Sequence, residues 1–259
     1  MILSRTKCGP NGLFGGSVPL RCDGARVYQI DLLKDAPRAV LCTPMGTGEN
    51  GRTVAVVVAH PDDEALWCGG LMLRHPRWRW HVVALCRGDD PDRAPKFKRA
   101  MARFGGAGSI GALDDGPDQY PLPPAEVSAA VLRLLPDREH DLVITHGPFG
   151  EYTRHRRHEE CCRAVVELWA ASRLMAQQLW MFAYEDGGRS YLPRVRADAD
   201  RRDDLPEEIW EAKRDVIVDV YGFAPESWEA RATPREEGFW CFDSPTAAAE
   251  RVAAYEDPA

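Results

Sequence analysis

No apolar run in the chain approaches the roughly 20 residues that a membrane span demands, and the N-terminus lacks the basic-then-apolar layout of a signal peptide. Cytoplasmic location follows by default. An excess of positive charge is missing as well: the formal net charge is −7, which argues against a general nucleic-acid binder. Cysteines at C-x-x-C spacing are also absent. The eight cysteines, at positions 8, 22, 42, 68, 86, 161, 162 and 241, are scattered, so no zinc ribbon is encoded and reduced thiols are expected. Cys8 and Cys22 fall in a loop-like region where a disulfide stays open, and the adjacent Cys161 and Cys162 are a pair to check as soft metal ligands. What remains is a chain of 259 residues with 44% hydrophobic content, enough for one large α/β domain with a full core.

The run from Thr53 to Glu64 joins a buried apolar strand, Thr-Val-Ala-Val-Val-Val-Ala, to His60-Pro61-Asp62-Asp63-Glu64. In open α/β sheets the carboxyl ends of the strands carry the ligand crevice, because loops and helix N-termini converge there. His60 and Asp63 lie three residues apart, so a helix that starts near Pro61 aims both at one point, a donor mixture that suits Zn²⁺. Asp62 is then left over beside the metal, the usual place of a group that takes a proton from attacking water. Taken alone, this Asp could instead cap a helix, the weaker of the two readings.

A catalytic zinc usually needs a third protein ligand. The segment from Asp141 to Glu160 reads as a short strand ending at His146, a Gly/Pro loop and a helix start that carries His155 and His158. Three residues apart, these two histidines share a face of a first helical turn, so one could bind metal while the other stands over the substrate. His146 is read as structural, since the metal has its ligands without it. Arg154, Arg156 and Arg157 read as a solvated basic face first and an anion contact second.

These two blocks resemble the LmbE-like, or PIG-L, family of metal-dependent N-deacetylases, whose His-Pro-Asp-Asp-Glu hallmark stands unchanged at residues 60–64. The resemblance implies that His60, Asp63 and His158 hold the metal, that Asp62 is the general base, and that His155 stabilises the oxyanion and protonates the leaving amine. Zn²⁺ is the implied cofactor, and a His-His-Asp set accommodates Fe²⁺ as well. The second block departs from the family's commoner Gly-His-Pro-Asp-His: Arg157 stands where an Asp often tunes the first histidine. A cation there would lower the pKa of His155 unless Glu151 or Glu159 compensates. The cluster Arg87-Gly88-Asp89-Asp90 resembles the family's loop after the second strand, from which an Arg often reaches substrate. Asp114-Asp115-Gly116 reads equally as a turn and as a site for sugar hydroxyls. Candidate substrate contacts are therefore Arg87, Asp89, Asp115 and Tyr152.

The alternation of strand and helix predicts an α/β fold, a Rossmann-like three-layer sandwich with a mostly parallel central sheet. Helices are expected after Asp63 through Leu73, over Lys96–Phe104, Glu126–Leu135, Glu160–Leu174 and Glu207–Val220, and strands over Trp80–Cys86, Ser109–Leu113 and Gln178–Tyr184. Residues 1–50 read as an N-terminal extension, a hairpin laid on the domain formed by residues 51–259. Gly187 to Asp204 is charged and reads as a mobile loop near the pocket. Of Trp228, Phe239 and Trp240, at least two are expected in the core, leaving the third to wall the pocket.

The function this implies is hydrolysis of an acetamide on a small N-acetylated amino sugar or glycoside, with no nucleic acid or transmembrane partner and with a homo-oligomer left open. A metal-dependent hydrolase of another ester, amide or phosphate ester is the first alternative. A non-catalytic binding protein that keeps the fold is the second.

Overall fold

The computed structural model describes residues 51–137 and 139–254; the segment 1–50 lies outside them. Strands β1 (Thr53–Val58), β2 (Arg79–Cys86), β3 (Ala107–Leu113), β4 (Glu139–Thr145) and β5 (Met175–Phe182) alternate with helices α1 (Asp63–Arg74), α2 (Arg93–Phe104), α3 (Pro124–Leu134) and α4 (Arg156–Ala170). The five strands pair in parallel in the order β3-β2-β1-β4-β5. Such a sheet is buried on both faces, which is why β1 is a continuous run of Val and Ala and not an alternation. Val54, Val56 and Val58 enter one core and Ala55 and Val57 the other. Helices α1 and α2 cover the first face, and α3 and α4 the second. The chain leaves β1 toward β2 on one side and returns to β4 on the other, so the crevice at a topological switch point opens between the ends of β1 and β4.

The sheet continues through two antiparallel strands, β9 (Glu236–Phe242) beside β5 and β8 (Arg201–Asp204) at the edge. The expected loop of residues 187–204 is thus only partly irregular. It holds β7 (Arg194–Val195), which pairs with β6 (Tyr184–Glu185), and then β8. Four consecutive charges hid β8 from a reading by hydrophobic pattern, but an edge strand tolerates them because one side of it faces water. The expected strand through Tyr184 likewise breaks at Ala183, where the chain leaves the main sheet for the β6–β7 ribbon.

Helix α5 (Glu207–Asp215) begins as expected and then widens into a π-helical turn, Val216–Val220, closed by Tyr221 N–H donating to Val216 O at 2.9 Å. Helices α6 (Trp228–Ala232) and α7 (Pro245–Ala253) complete the described chain. Gly70 allows the layer to close: a Cβ there would lie 2.5 Å from Leu205 and 3.0 Å from a Glu237 carboxylate oxygen. That carboxylate accepts from the N–H groups of Gly70 and Leu71 at 2.7 Å and from Lys213 Nζ at 2.8 Å, tying α1, α5 and β9 together in a fully buried network. Among the described residues no helix is long and apolar enough to cross a membrane.

Candidate active site

The turn between β1 and α1 places the first group of side chains. Asp62 occupies the left-handed region at φ 115°, a conformation that strains any residue with a Cβ and that persists only where its surroundings enforce it. Its side chain does not cap α1; it reaches Arg93 on α2, Oδ2 to Nη1 2.8 Å. The capping alternative is thereby overturned. The turn also lets the His60 N–H donate to Asp63 Oδ2 at 2.8 Å, while Trp67 Nε1 lies 3.4 Å from Asp63 Oδ1.

From β4 the chain brings the second group. His158 Nε2 lies 3.3 Å from His60 Nδ1 and 3.4 Å from Asp63 Oδ2, and His60 Nδ1 lies 3.2 Å from the same oxygen. Three donor atoms thus form a nearly equilateral triangle. Ligand bonds of about 2.0–2.1 Å in tetrahedral geometry put ligand atoms about 3.3–3.4 Å apart, so these residues fit a zinc-sized cation without rearrangement. His158 keeps the required lone pair on Nε2 because Glu151 Oε2 sits 2.6 Å from its Nδ1 and holds the proton there.

Two other histidines approach this triangle. His146 stacks on His158 with ring centroids 3.9 Å apart, and Asp63, His146 and His158 group their donor atoms closely as well. Its Nε2, however, accepts from the Ala59 N–H at 2.9 Å, and its Nδ1 faces Glu151 Oε2 at 2.9 Å. Both ring nitrogens are spent on the protein. His155, in the extended residue just ahead of α4, lies with its ring 4.9 Å from His60 and 4.5 Å from His158. Its Nδ1 is buried without a hydrogen-bond partner, free to meet a ligand or a cation.

Burial and neighbouring charge set the proton affinities. Burial raises the Asp62 carboxyl to about 7, helped by Asp63 and opposed by Arg93. For His60, burial acts downward, but hydrogen bonds to Asp115 and Asp63 prevail and the imidazole rises to about 10. Burial lowers His155 to about 4, aided by His158 and His60. The expected direction for His155 is found, yet its cause is not Arg157. That guanidinium is buried and turns away, donating to Asp114 O at 2.6 Å, Tyr120 O at 2.9 Å and Glu160 Oε2 at 2.6 Å. It pins the 114–120 loop to α4, which corrects the reading of Arg157 as part of a solvated face. The carboxylates expected to compensate it are committed elsewhere: Glu151 to His146 and His158, Glu159 to Arg154.

The remaining candidates sort by place. A cavity of about 220 Å³ over the triangle is lined by Asp62, Arg87, Asp115, Tyr152 and His155 among others. Asp115 does more than face it. Its Oδ1 lies 3.2 Å from His60 Nε2, the nitrogen away from the triangle, and its Oδ2 accepts from Arg87 Nε at 2.9 Å. Asp89 is exposed and does not line the cavity, because the turn after β2, with Arg87 at φ 68°, carries it outward. Cys161 and Cys162 are buried in the core face of α4, with Cys161 Sγ 3.5 Å from Val57 O, and neither joins a candidate metal group among the described residues. Trp228 lines the cavity, whereas Phe239 and Trp240 are fully buried on β9.

Sequence reasoning overlooked Arg93, the partner of Asp62, and the Tyr221 hydroxyl that donates to Glu64 Oε1 at 2.6 Å while Glu64 Oε2 accepts from the Asp62 N–H at 3.1 Å. The second chain of contacts runs from the π-helical turn to the strained residue. No motif spans the 157 positions between Glu64 and Tyr221.

An α/β domain with a candidate metal centre at its sheet switch point is the class that this geometry defines. Residues 55–169 match the model of the PIG-L family, described as GlcNAc-PI de-N-acetylase, and the chain thus carries a PIG-L (LmbE-like) domain. Solved structures share its fold at low identity. N,N'-diacetylchitobiose deacetylase from Pyrococcus horikoshii aligns at TM-score 0.56 and 17% identity over 74% of this chain and 84% of its own. The zinc-inhibited form of teicoplanin deacetylase Orf2 aligns at 0.53 and 13%, over 73% and 97%. GalB, a 4-carboxy-2-hydroxymuconate hydratase from Pseudomonas putida KT2440, aligns at 0.50 and 16%, over 73% and 95%. A sequence comparison with curated proteins returned no match.

Proposed function

We propose that the protein is a metal-dependent N-deacetylase that releases acetate from an N-acetylated amino sugar or a related small glycoside. The observation that carries this reading is the triangle of His60, Asp63 and His158 with the unligated Asp62 beside it. The description of the matched family and the two deacetylases of similar fold support it, while the hydratase of similar fold means that the residues, and not the fold, carry the weight. His60, Asp63 and His158 would hold Zn²⁺ or Fe²⁺, a divalent cation that supplies Lewis acidity to the amide carbonyl and acidifies water.

The chain's own groups supply the rest. Asp62, held toward the cavity by Arg93, accepts the proton of the attacking water and can give it up again. The departing amine is the natural acceptor, so one carboxyl serves both halves of the reaction, in place of the proton donation that the family resemblance implies for His155. His155 is neutral at pH 7 and contributes an N–H hydrogen bond to the developing oxyanion. Arg87 and Tyr152 line the place where a sugar ring would lie.

Asp62→Asn tests the reading in a screen of N-acetylated sugars for acetate release, run with metal-replete protein. The variant is expected to retain metal and to turn over about 10²- to 10⁴-fold more slowly. Unchanged turnover would remove Asp62 from the chemistry, and loss of metal would exchange the roles of Asp62 and Asp63.

A further inference from the structure

Beside the inner cavity lies a larger one of about 560 Å³, and Tyr152, His155 and Trp228 line both. The two form one cleft. An inner volume of about 220 Å³ is smaller than ligand sites of roughly 300–1,000 Å³, so a ligand larger than one sugar ring that reacts at His60 and Asp62 extends into the outer cavity. What it would meet there is a repeated pairing of an aromatic ring with an arginine. Helix α6 brings Trp228 and Arg231, three residues apart and therefore on one face. The loop between β6 and β7 brings Arg189 and Tyr191, one face of whose ring carries the Arg194 guanidinium at 4.0 Å from the centroid. Trp228 and Tyr191 are two of the four large hydrophobic side chains exposed among the described residues, at 38% and 36%.

Charge in this outer cavity is left over. Arg154 is neutralised by a two-point contact with Glu159, at 2.8 and 2.9 Å. The one carboxylate in the lining, Asp186, has both oxygens occupied: Oδ2 accepts from Thr153 N–H at 2.8 Å and from its hydroxyl at 3.0 Å, and Oδ1 accepts from Gly188 N–H at 3.0 Å. Arg189 commits only its Nε, to Thr153 Oγ1 at 2.8 Å, and has no ion-pair partner among the described residues. The Arg231 backbone N–H donates to Ser227 O at 3.1 Å, but its guanidinium has neither a hydrogen bond nor an ion pair among the described residues. Arg189 is also held at φ 71°, a left-handed backbone that strains a side-chain-bearing residue and here presents a cation to a cleft.

We infer that the outer cavity is a subsite for a ring that carries an oxyanion, with the ring against Trp228 and Tyr191 and the charge between Arg189 and Arg231. Free guanidinium N–H groups take a carboxylate or a phosphate in the same forked geometry, and an exposed aromatic face suits a sugar or phenyl ring. Given the deacetylase reading, on which this rests, the substrate is an acidic glycoside whose charge lies outward of its N-acetyl group.

Three probes of one core decide the matter: phenyl N-acetyl-β-glucosaminide, its 4-carboxyphenyl analogue and N-acetylglucosamine 1-phosphate. Acetate release by the metal-replete full chain should favour one acidic probe over the neutral one by about tenfold or more in kcat/KM, chiefly through KM, and the ratio should shrink with salt. The acidic probe that leads identifies the oxyanion. Arg189→Gln combined with Arg231→Gln, both exposed positions, should erase the preference. Equal use of all three probes, or a preference that survives the double replacement, overturns the inference. If no probe releases acetate, calorimetric binding separates the two ideas. Tighter, arginine-dependent binding of an acidic probe upholds the subsite and removes the deacetylase reading, whereas indifferent binding removes both.

Discussion

Two imidazole–carboxylate couples stand on either side of the candidate metal centre, and they are built differently. Glu151 and His158 are both fully buried, and the same Glu151 carboxylate holds His146 and accepts from the Gly147 N–H at 2.9 Å. Asp115 and His60 form the other couple at the cavity wall, with side-chain exposures of 8% and 15% and with Arg87 and Gln119 as further partners of Asp115. The sealed couple is closed to solvent and substrate, so it acts as scaffold. In the open couple, a substrate hydroxyl could compete with Arg87 or Gln119 for Asp115. The comparison teaches that one centre can have a fixed half and an adjustable half, distinguished only by access to solvent.

The largest effect is expected at Glu151. Glu151→Ala leaves two buried imidazoles and a backbone N–H without their acceptor, and should cost about 3–5 kcal/mol of stability together with most bound metal. Denaturant unfolding and metal analysis measure both. A variant that folds and loads normally would show that the sealed couple is dispensable. Arg157→Ala comes next, at about 2–3 kcal/mol, because it frees Asp114 and Tyr120 from α4 and loosens the loop that carries Asp115. Its signature in hydrogen exchange should be confined to residues near 114–120, and general loosening of α4 would instead place Arg157 in the scaffold. The smallest effect belongs to Asp115→Asn, which keeps the shape but weakens the hold on His60. Metal affinity should fall by about 10–100-fold with little change in melting temperature. A loss of stability as large as that of Glu151→Ala would erase the distinction between the couples.

Much of this centre was legible from local sequence. The strand of Val and Ala ending in His60 announces a buried parallel strand and its crevice, and the spacing of His60, Asp63, His155 and His158 encodes proximity within each block. What could not be read depends on contacts between distant segments. Arg93 meets Asp62 because α2 packs beside α1, and Asp115 meets His60 because β3 ends beside β2, neither of which leaves a mark at fixed spacing. Arg157 was misread since polarity predicts exposure, whereas carbonyls of the 114–120 loop offered it a buried acceptor set. Strand β8 escaped for the converse reason: its edge position let a charged sequence pair with β9.

The left-handed Asp62 has a consequence for anyone who would make this protein more durable. A glycine at that position would relieve the backbone and remove a buried carboxyl, and Asp62→Gly should raise stability by about 1 kcal/mol, measured as a higher unfolding midpoint. The same change deletes the group assigned to proton transfer. A selection for heat resistance alone would therefore favour a chain without its proposed proton acceptor, and improvement has to be sought elsewhere in the chain or screened jointly with the proposed turnover.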